Sequence, residues 1–226
     1  MFSKRGIDYL AGTILLLVVV TVVATIITDP LAPNSYQGEP RELLTRILDS
    51  RTQFITNLSL DIFSSFLAIP LAAALYSAFR AHERTWALLG TAGFLAAGVL
   101  FLVADMALIA LDSMAQDFVT ASGGPANAIL SVTGAIAAVV DSARGMGALG
   151  IALGILSYGV LVMKTGALPR WIGAVGILGG IVTPFGWLSL LQVNLVIIAI
   201  VGLNIALLFA LLSGIWLVWK GSNEAG

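Results

Sequence analysis

The chain has 226 residues, 59% of them hydrophobic and 10% charged, with a net charge of −1 and a mean hydropathy of +1.02. Soluble domains carry about 25% charged residues, so this composition excludes an ordinary soluble fold, and a balanced charge offers no basic surface to nucleic acid. With no cysteine and one histidine, His82, the chain excludes disulfides, thiol nucleophiles and bis-histidine haem ligation, and no cofactor is expected.

The N-terminus opens on the basic run Ser3-Lys4-Arg5. The apolar stretch after it, Tyr9 to Ile27, is longer than the 7–15 residues of a signal core and has no obvious small-x-small cleavage site, so it predicts a first transmembrane helix over about 7–28. The turn-prone run Asp29-Pro30-Leu31-Ala32-Pro33-Asn34 follows. Next comes an amphipathic segment, about 39–50, in which Pro40 suits a first helical position. Its residues Leu43, Leu44, Ile47 and Leu48 make one apolar face, as in a helix lying on the membrane surface. A cap on the bundle is the expectation for it, and a ligand lid the alternative.

Roughly 20 apolar residues cross the hydrocarbon core. Further spans are predicted over about 56–79, 86–111, 144–163, 171–191 and 195–219. The segment 112–141 reads as partly helical. Its apolar part, Ala126–Val140, is set off by Gly123-Gly124-Pro125 and is short for a crossing, so it reads as an interfacial or outward extension of the fourth span. The fold class is thus all-α: one transmembrane domain, a polytopic bundle of six helices. Pro70 and Pro184 fall at corresponding places in a three-plus-three division, a slight hint of an inverted repeat.

Orientation follows from the flanking basic residues. Lys4, Arg5, Arg80, Arg84, Lys164, Arg170 and Lys220 lie on one side; Arg41, Arg46 and Arg51 lie on the other, beside Asp29, Glu39, Glu42 and Asp49. Both termini are therefore expected in the cytoplasm. Tyr9, Tyr76, Trp86, Trp171, Trp216 and Trp219 mark the inner boundary as aromatic anchors, and Trp187 the outer one.

Asp61, Asp105 and Arg144 are the charges that interrupt the apolar runs, and charges in such surroundings are costly and usually functional. Asp61 lies 19 residues before Arg80, Asp105 lies 19 after Trp86, and Arg144 lies 20 before Lys164. At about 1.5 Å per residue each is roughly 28–30 Å from an inner marker, at the outer boundary and level with the others. Arg144 could there bridge Asp61 and Asp105, with Asp141 one turn further out on its own helix. The alternatives are plain solvation at the headgroups, an ion-binding or ligand-binding mouth, and a proton-coupling site. A transporter's coupling site is expected near the midplane, where Asn204 is the polar residue, read as a helix–helix hydrogen bond before a substrate contact. Ser64, Ser65, Ser157 and Tyr158 stay open between self-bonding and contact with a neighbour.

Glycines recur in the fourth and fifth spans. Gly150/Gly154 and Gly176/Gly180 are small-xxx-small pairs, which predicts a tight hairpin of these two helices across the Lys164–Arg170 turn. A break at Thr183-Pro184-Phe185-Gly186 lining a cavity is the alternative use of the fifth span. No catalytic set emerges: a Ser/His/Asp arrangement needs His82, on the opposite side from the outer carboxylates. No metal site is expected.

The hairpin sequence Gly154-Ile-Leu-Ser-Tyr158, continued by Lys164-Thr-Gly-Ala-Leu-Pro169-Arg170-Trp171-Ile-Gly173, resembles a family of uncharacterised bacterial integral membrane proteins, a domain of unknown function with about six spans. Ala74-Leu-Tyr76-Ser-Ala-Phe-Arg80 and Trp86-Ala-Leu-Leu are similar to the end of that family's second span. The resemblance implies a multi-pass protein of the bacterial plasma membrane and transfers no functional residue. The expected function is non-catalytic, an accessory or scaffold subunit or a binder of lipid or another apolar ligand. The alternative is a small transporter or channel with an outer vestibule at Asp61, Asp105 and Arg144. The expected partners are membrane lipid and another membrane protein subunit.

Overall fold

The computed structural model describes residues 4–28, 39–187 and 196–223, and these form seven α-helices with no strand among them. They are α1 (Lys4–Thr28), α2 (Pro40–Asp49), α3 (Arg51–Phe79), α4 (Arg84–Thr120), α5 (Gly124–Thr165), α6 (Arg170–Trp187) and α7 (Val196–Asn223). The 29–34 turn run, the outer end of the fifth predicted span, the start of the sixth at Leu195 and the Trp187 side chain lie outside the described residues.

Among the described residues five helices are long and apolar enough to cross a membrane: α1, α3, α4, α5 and α7. The described part of α6 is a shorter apolar helix. Large apolar side chains point outward along them, Val20, Ile27, Met106 and Leu178 among them. Continuous exposed apolar surface of this kind suits a hydrocarbon solvent and not water.

Two helices run far beyond their predicted spans. α4 has 37 residues and α5 has 42, about 55 and 63 Å at the helical rise, against about 30 Å of hydrocarbon. The 112–141 segment is thus helical except at 121–123, and the 126–140 stretch and the fourth span are one helix. The cause is local: this stretch is rich in alanine, the best helix former, and Ala137, Val140 and Ala143 are buried along one side.

By its contacts the chain forms two units, and α1, α3, α4 and α5 contribute to both. The first comprises residues 1–20, 66–98 and 146–226. Its core gathers Leu15, Leu75, Phe79, Tyr158, Leu161, Ile172 and Leu217. The second comprises 21–65 and 99–145, and its core contains Leu43, Leu44, Ile47, Phe54, Leu108 and Val140. The division cuts across helices and does not separate the first three spans from the last three.

In the second unit the apolar face of α2 is turned into the protein. Leu43, Leu44 and Ile47 are at most 2% exposed, and Leu48 packs against the same cluster, so the apolar face is covered by protein and not by lipid. α2 caps its unit.

In the first unit glycines set the helix spacing, and they correct one pairing. A Cβ on Gly159 would lie 2.7 Å from the Ile177 nitrogen, and one on Gly180 2.5 Å from the Leu156 Cβ, so α5 and α6 do form a close hairpin. Gly150 and Gly154 serve a different contact. They face α4, where Gly150 meets Ala97 and Gly93, and Gly154 meets Phe94. Gly176 meets the Phe209 ring of α7 as well as Gly159. The spacing identifies a small-residue face correctly, but it carries no information on which neighbour uses it. α6 runs unbroken through Pro184, and the Thr183 hydroxyl bonds the Gly179 carbonyl at 2.7 Å, as in a packed helix.

Short connections end the helices by familiar means. Glu83 precedes α4 and accepts from the Trp86 amide at 2.9 Å, a carboxylate at a helix N-terminus. α5 ends at Gly166, whose φ of +66° is the left-handed conformation that glycine adopts without a Cβ penalty; its amide donates to the Val162 carbonyl at 2.9 Å.

Candidate functional site

The polar residues of the second unit converge on α3. Asn57, Asp61 and Ser65 are four residues apart and so share one face of that helix. Each of them bonds a different element. The Asn57 amide donates to the Thr25 carbonyl at 2.8 Å and to the Thr28 hydroxyl at 3.2 Å, and Gln53 donates to the Thr28 carbonyl at 3.0 Å. These bonds take up carbonyl groups that the last turn of α1 leaves without a helical partner. Asp61 accepts from the Arg144 guanidinium of α5 at 2.8 Å. Ser65 donates to the Asp105 carboxylate of α4 at 3.0 Å.

Asp105 is 3% exposed, and the side chains of Asp61 and Arg144 are 20% and 29% exposed. Arg144 also acts electrostatically on Asp105 and on Asp141, and Asp61 acts on Asp105. Arg144 and Asp61 are thus bonded, and Asp105 and Asp141 lie within electrostatic reach of Arg144. Asn204 is not with them: it lies on an exposed part of α7, in the first unit. Ser64 bonds the Asp61 carbonyl of its own helix at 2.9 Å, while Ser65 reaches across to α4.

A second ion pair joins two residues that fall just outside the predicted spans. Arg51, at the start of α3, makes a two-pronged contact with Asp112 of α4 at 2.9 and 3.0 Å, and Gln116 donates to the same carboxylate at 2.9 Å. Asp112 follows Asp105 by seven residues, two helical turns, so both carboxylates point the same way. That offset was the available signal. Among the described residues no group of three or more carboxylate or imidazole side chains is placed to hold a metal ion.

Chemically, the arrangement joins helices. A charge pair removed from water costs desolvation energy, and losing one partner leaves the other uncompensated. Such links therefore favour one arrangement of helices strongly over others. In the first unit Tyr158 has a comparable role: 2% exposed, it shares a 2.9 Å hydrogen bond with Thr91 of α4 and stacks on Phe94 at 5.9 Å.

Long apolar helices with outward apolar faces, tied by inward polar bonds, define a polytopic helical membrane protein. Residues 10–221 match the family described as Domain of unknown function (DUF4386), and the chain belongs to that family. No curated protein matches the chain, and no solved structure does.

Proposed function

We propose that this chain is a non-catalytic, multi-pass protein of the bacterial plasma membrane that serves as an accessory or scaffold subunit or as a binder of lipid or another apolar ligand. One observation supports this above others. Asn57, Asp61 and Ser65 on α3 each bond another helix, while the outward faces are apolar. Inward polarity serves assembly, and the outward surface is the part left to meet partners. Native mass spectrometry from nanodiscs tests the reading. Retained lipid or a co-purifying subunit is expected, and a lone monomer with neither would sink it.

A second reading has its own observation. Asp61 and Arg144 are partly exposed beside the buried Asp105, as at the floor of an outer vestibule in a small transporter or channel. Liposome flux that is unchanged by Asp61→Asn and Asp105→Asn would eliminate it.

The proposal includes six spans with both termini cytoplasmic. Because the chain has no cysteine, single introduced thiols report sidedness without background. Thr45→Cys should react with an impermeant maleimide in intact cells, and Ser222→Cys only after permeabilisation. The reverse pattern would invert the topology.

A further inference from the structure

The family-like hairpin turn has a use beyond joining α5 to α6. Residues 166–170 and the end of α7 border an open surface cavity of about 590 Å³, lined by Leu168, Pro169, Arg170, Trp216, Trp219 and Lys220 among others. Trp216 and Trp219 pack against each other with ring centroids 5.0 Å apart. We propose that this cavity is a headgroup site for one anionic phospholipid, with Arg170 and Lys220 holding the phosphate and the two tryptophans flanking the glycerol. The inference rests on the lipid-binding reading above and deepens it.

Three observations carry it. The first is charge. Among the described residues no acidic side chain lines the cavity, and the carboxylate paired with Lys220, that of Asp8 of α1, is 4% exposed and lies 3.8 Å from the ammonium. Among these described groups two cations against one carboxylate leave a surplus of one positive charge, the complement of a phosphodiester. The second is the surrounding end of the unit, where α5 and α7 end and α6 begins. Lys164 lies there over the Trp86 ring at 5.2 Å, and Arg80 and Arg84 lie exposed in and after the α3–α4 turn. Basic residues mixed with tryptophan are the composition of a cytoplasmic membrane boundary, and clustered basic residues there attract anionic lipid.

The third observation is a track for the acyl chains. Trp219, Ile215, Leu211 and Leu208 are all exposed. Their spacings of four, four and three residues put them on one face of α7. The stripe starts at the cavity and runs away from it along the span. A free anion would use the cations alone; a phospholipid would use the cations, the aromatic wall and the stripe together.

The test is retention of phosphatidylglycerol against phosphatidylcholine in mixed nanodiscs, read by native mass spectrometry. The wild type should retain the anionic lipid preferentially. Arg170→Gln with Lys220→Gln should weaken that retention roughly thirty-fold, about five-fold for each cation lost near the surface. Arg170→Lys with Lys220→Arg should preserve it. Arg41→Gln, an exposed cation of α2 that belongs neither to the cavity nor to the basic cluster around it, should leave it unchanged, and thermal unfolding in detergent checks that each variant is folded. Equal retention by the wild type and the double glutamine variant would overturn the site while leaving the general lipid-binding reading intact. A wild type that retains no lipid would overturn both. Displacement of the lipid by millimolar glycerol phosphate would assign the cavity to a free anion and overturn the lipid proposal.

Discussion

Replacing Arg144 with leucine is expected to destabilise the protein by on the order of 3 kcal/mol. The guanidinium is bonded to Asp61 at 2.8 Å and is the cation acting on the buried Asp105 and on Asp141. Its removal leaves Asp61 without its cation and the buried Asp105 with an uncompensated carboxylate acting on it. Asp61→Asn should cost less, because the amide oxygen still accepts from Arg144 and the site loses a negative charge. The double variant Asp61→Asn/Arg144→Leu should be more stable than the sum of the single losses predicts, with a coupling of about 1–3 kcal/mol. Denaturation in detergent, followed by helical circular dichroism, gives all three values. Additive losses would show that the pair does not stabilise the fold, and the clasp reading would fail. A stable Asp61→Asn variant that had lost liposome flux would instead favour the vestibule.

Much of the fold was legible because hydrocarbon is a demanding solvent. Backbone groups there must be satisfied within the helix, so an apolar run such as 7–28 can hardly be other than the helix Lys4–Thr28. Residue counting bears on the charges too, and Arg144 does bond Asp61 at 2.8 Å. Helical rise is constant, so Asp61, Asp105 and Arg144 could be set at one level before any contact was known. Partner choice was not legible in the same way. Gly150 and Gly154 mark a small face, but whether α4 or α6 occupies it depends on how the helices are arranged around one another. The Arg51–Asp112 pair was hidden for another reason. Both residues lie just beyond the predicted spans 56–79 and 86–111, although α3 starts at Arg51 and α4 continues to Thr120. The apolar face of α2 was visible, yet a lipid-facing stripe and a protein-facing stripe have the same sequence. Burial of Leu43, Leu44 and Ile47 decides between them.

Gly93 tests the close packing of α4 on α5 most directly. A Cβ there would fall 2.6 Å from the Gly154 nitrogen and 2.7 Å from the Gly150 oxygen. These are backbone atoms, so no side chain can rotate away and the helices themselves must separate. Gly93→Ala should therefore cost about 1–3 kcal/mol, the usual range for overpacking, although alanine is intrinsically the better helix former by about 1 kcal/mol. Gly93→Leu should prevent assembly of the pair, seen as loss of monodisperse protein on size exclusion. Gly134 is the matched control within the same protein. Its added Cβ would find only Pro40 Cγ, at 3.8 Å, an ordinary contact. Gly134→Ala should be neutral or stabilise by up to about 1 kcal/mol. The two substitutions make the same chemical change in helix interiors, so opposite signs isolate the backbone contact as the cause. Two stabilising results would mean that α4 and α5 are not held at the distance their glycines allow.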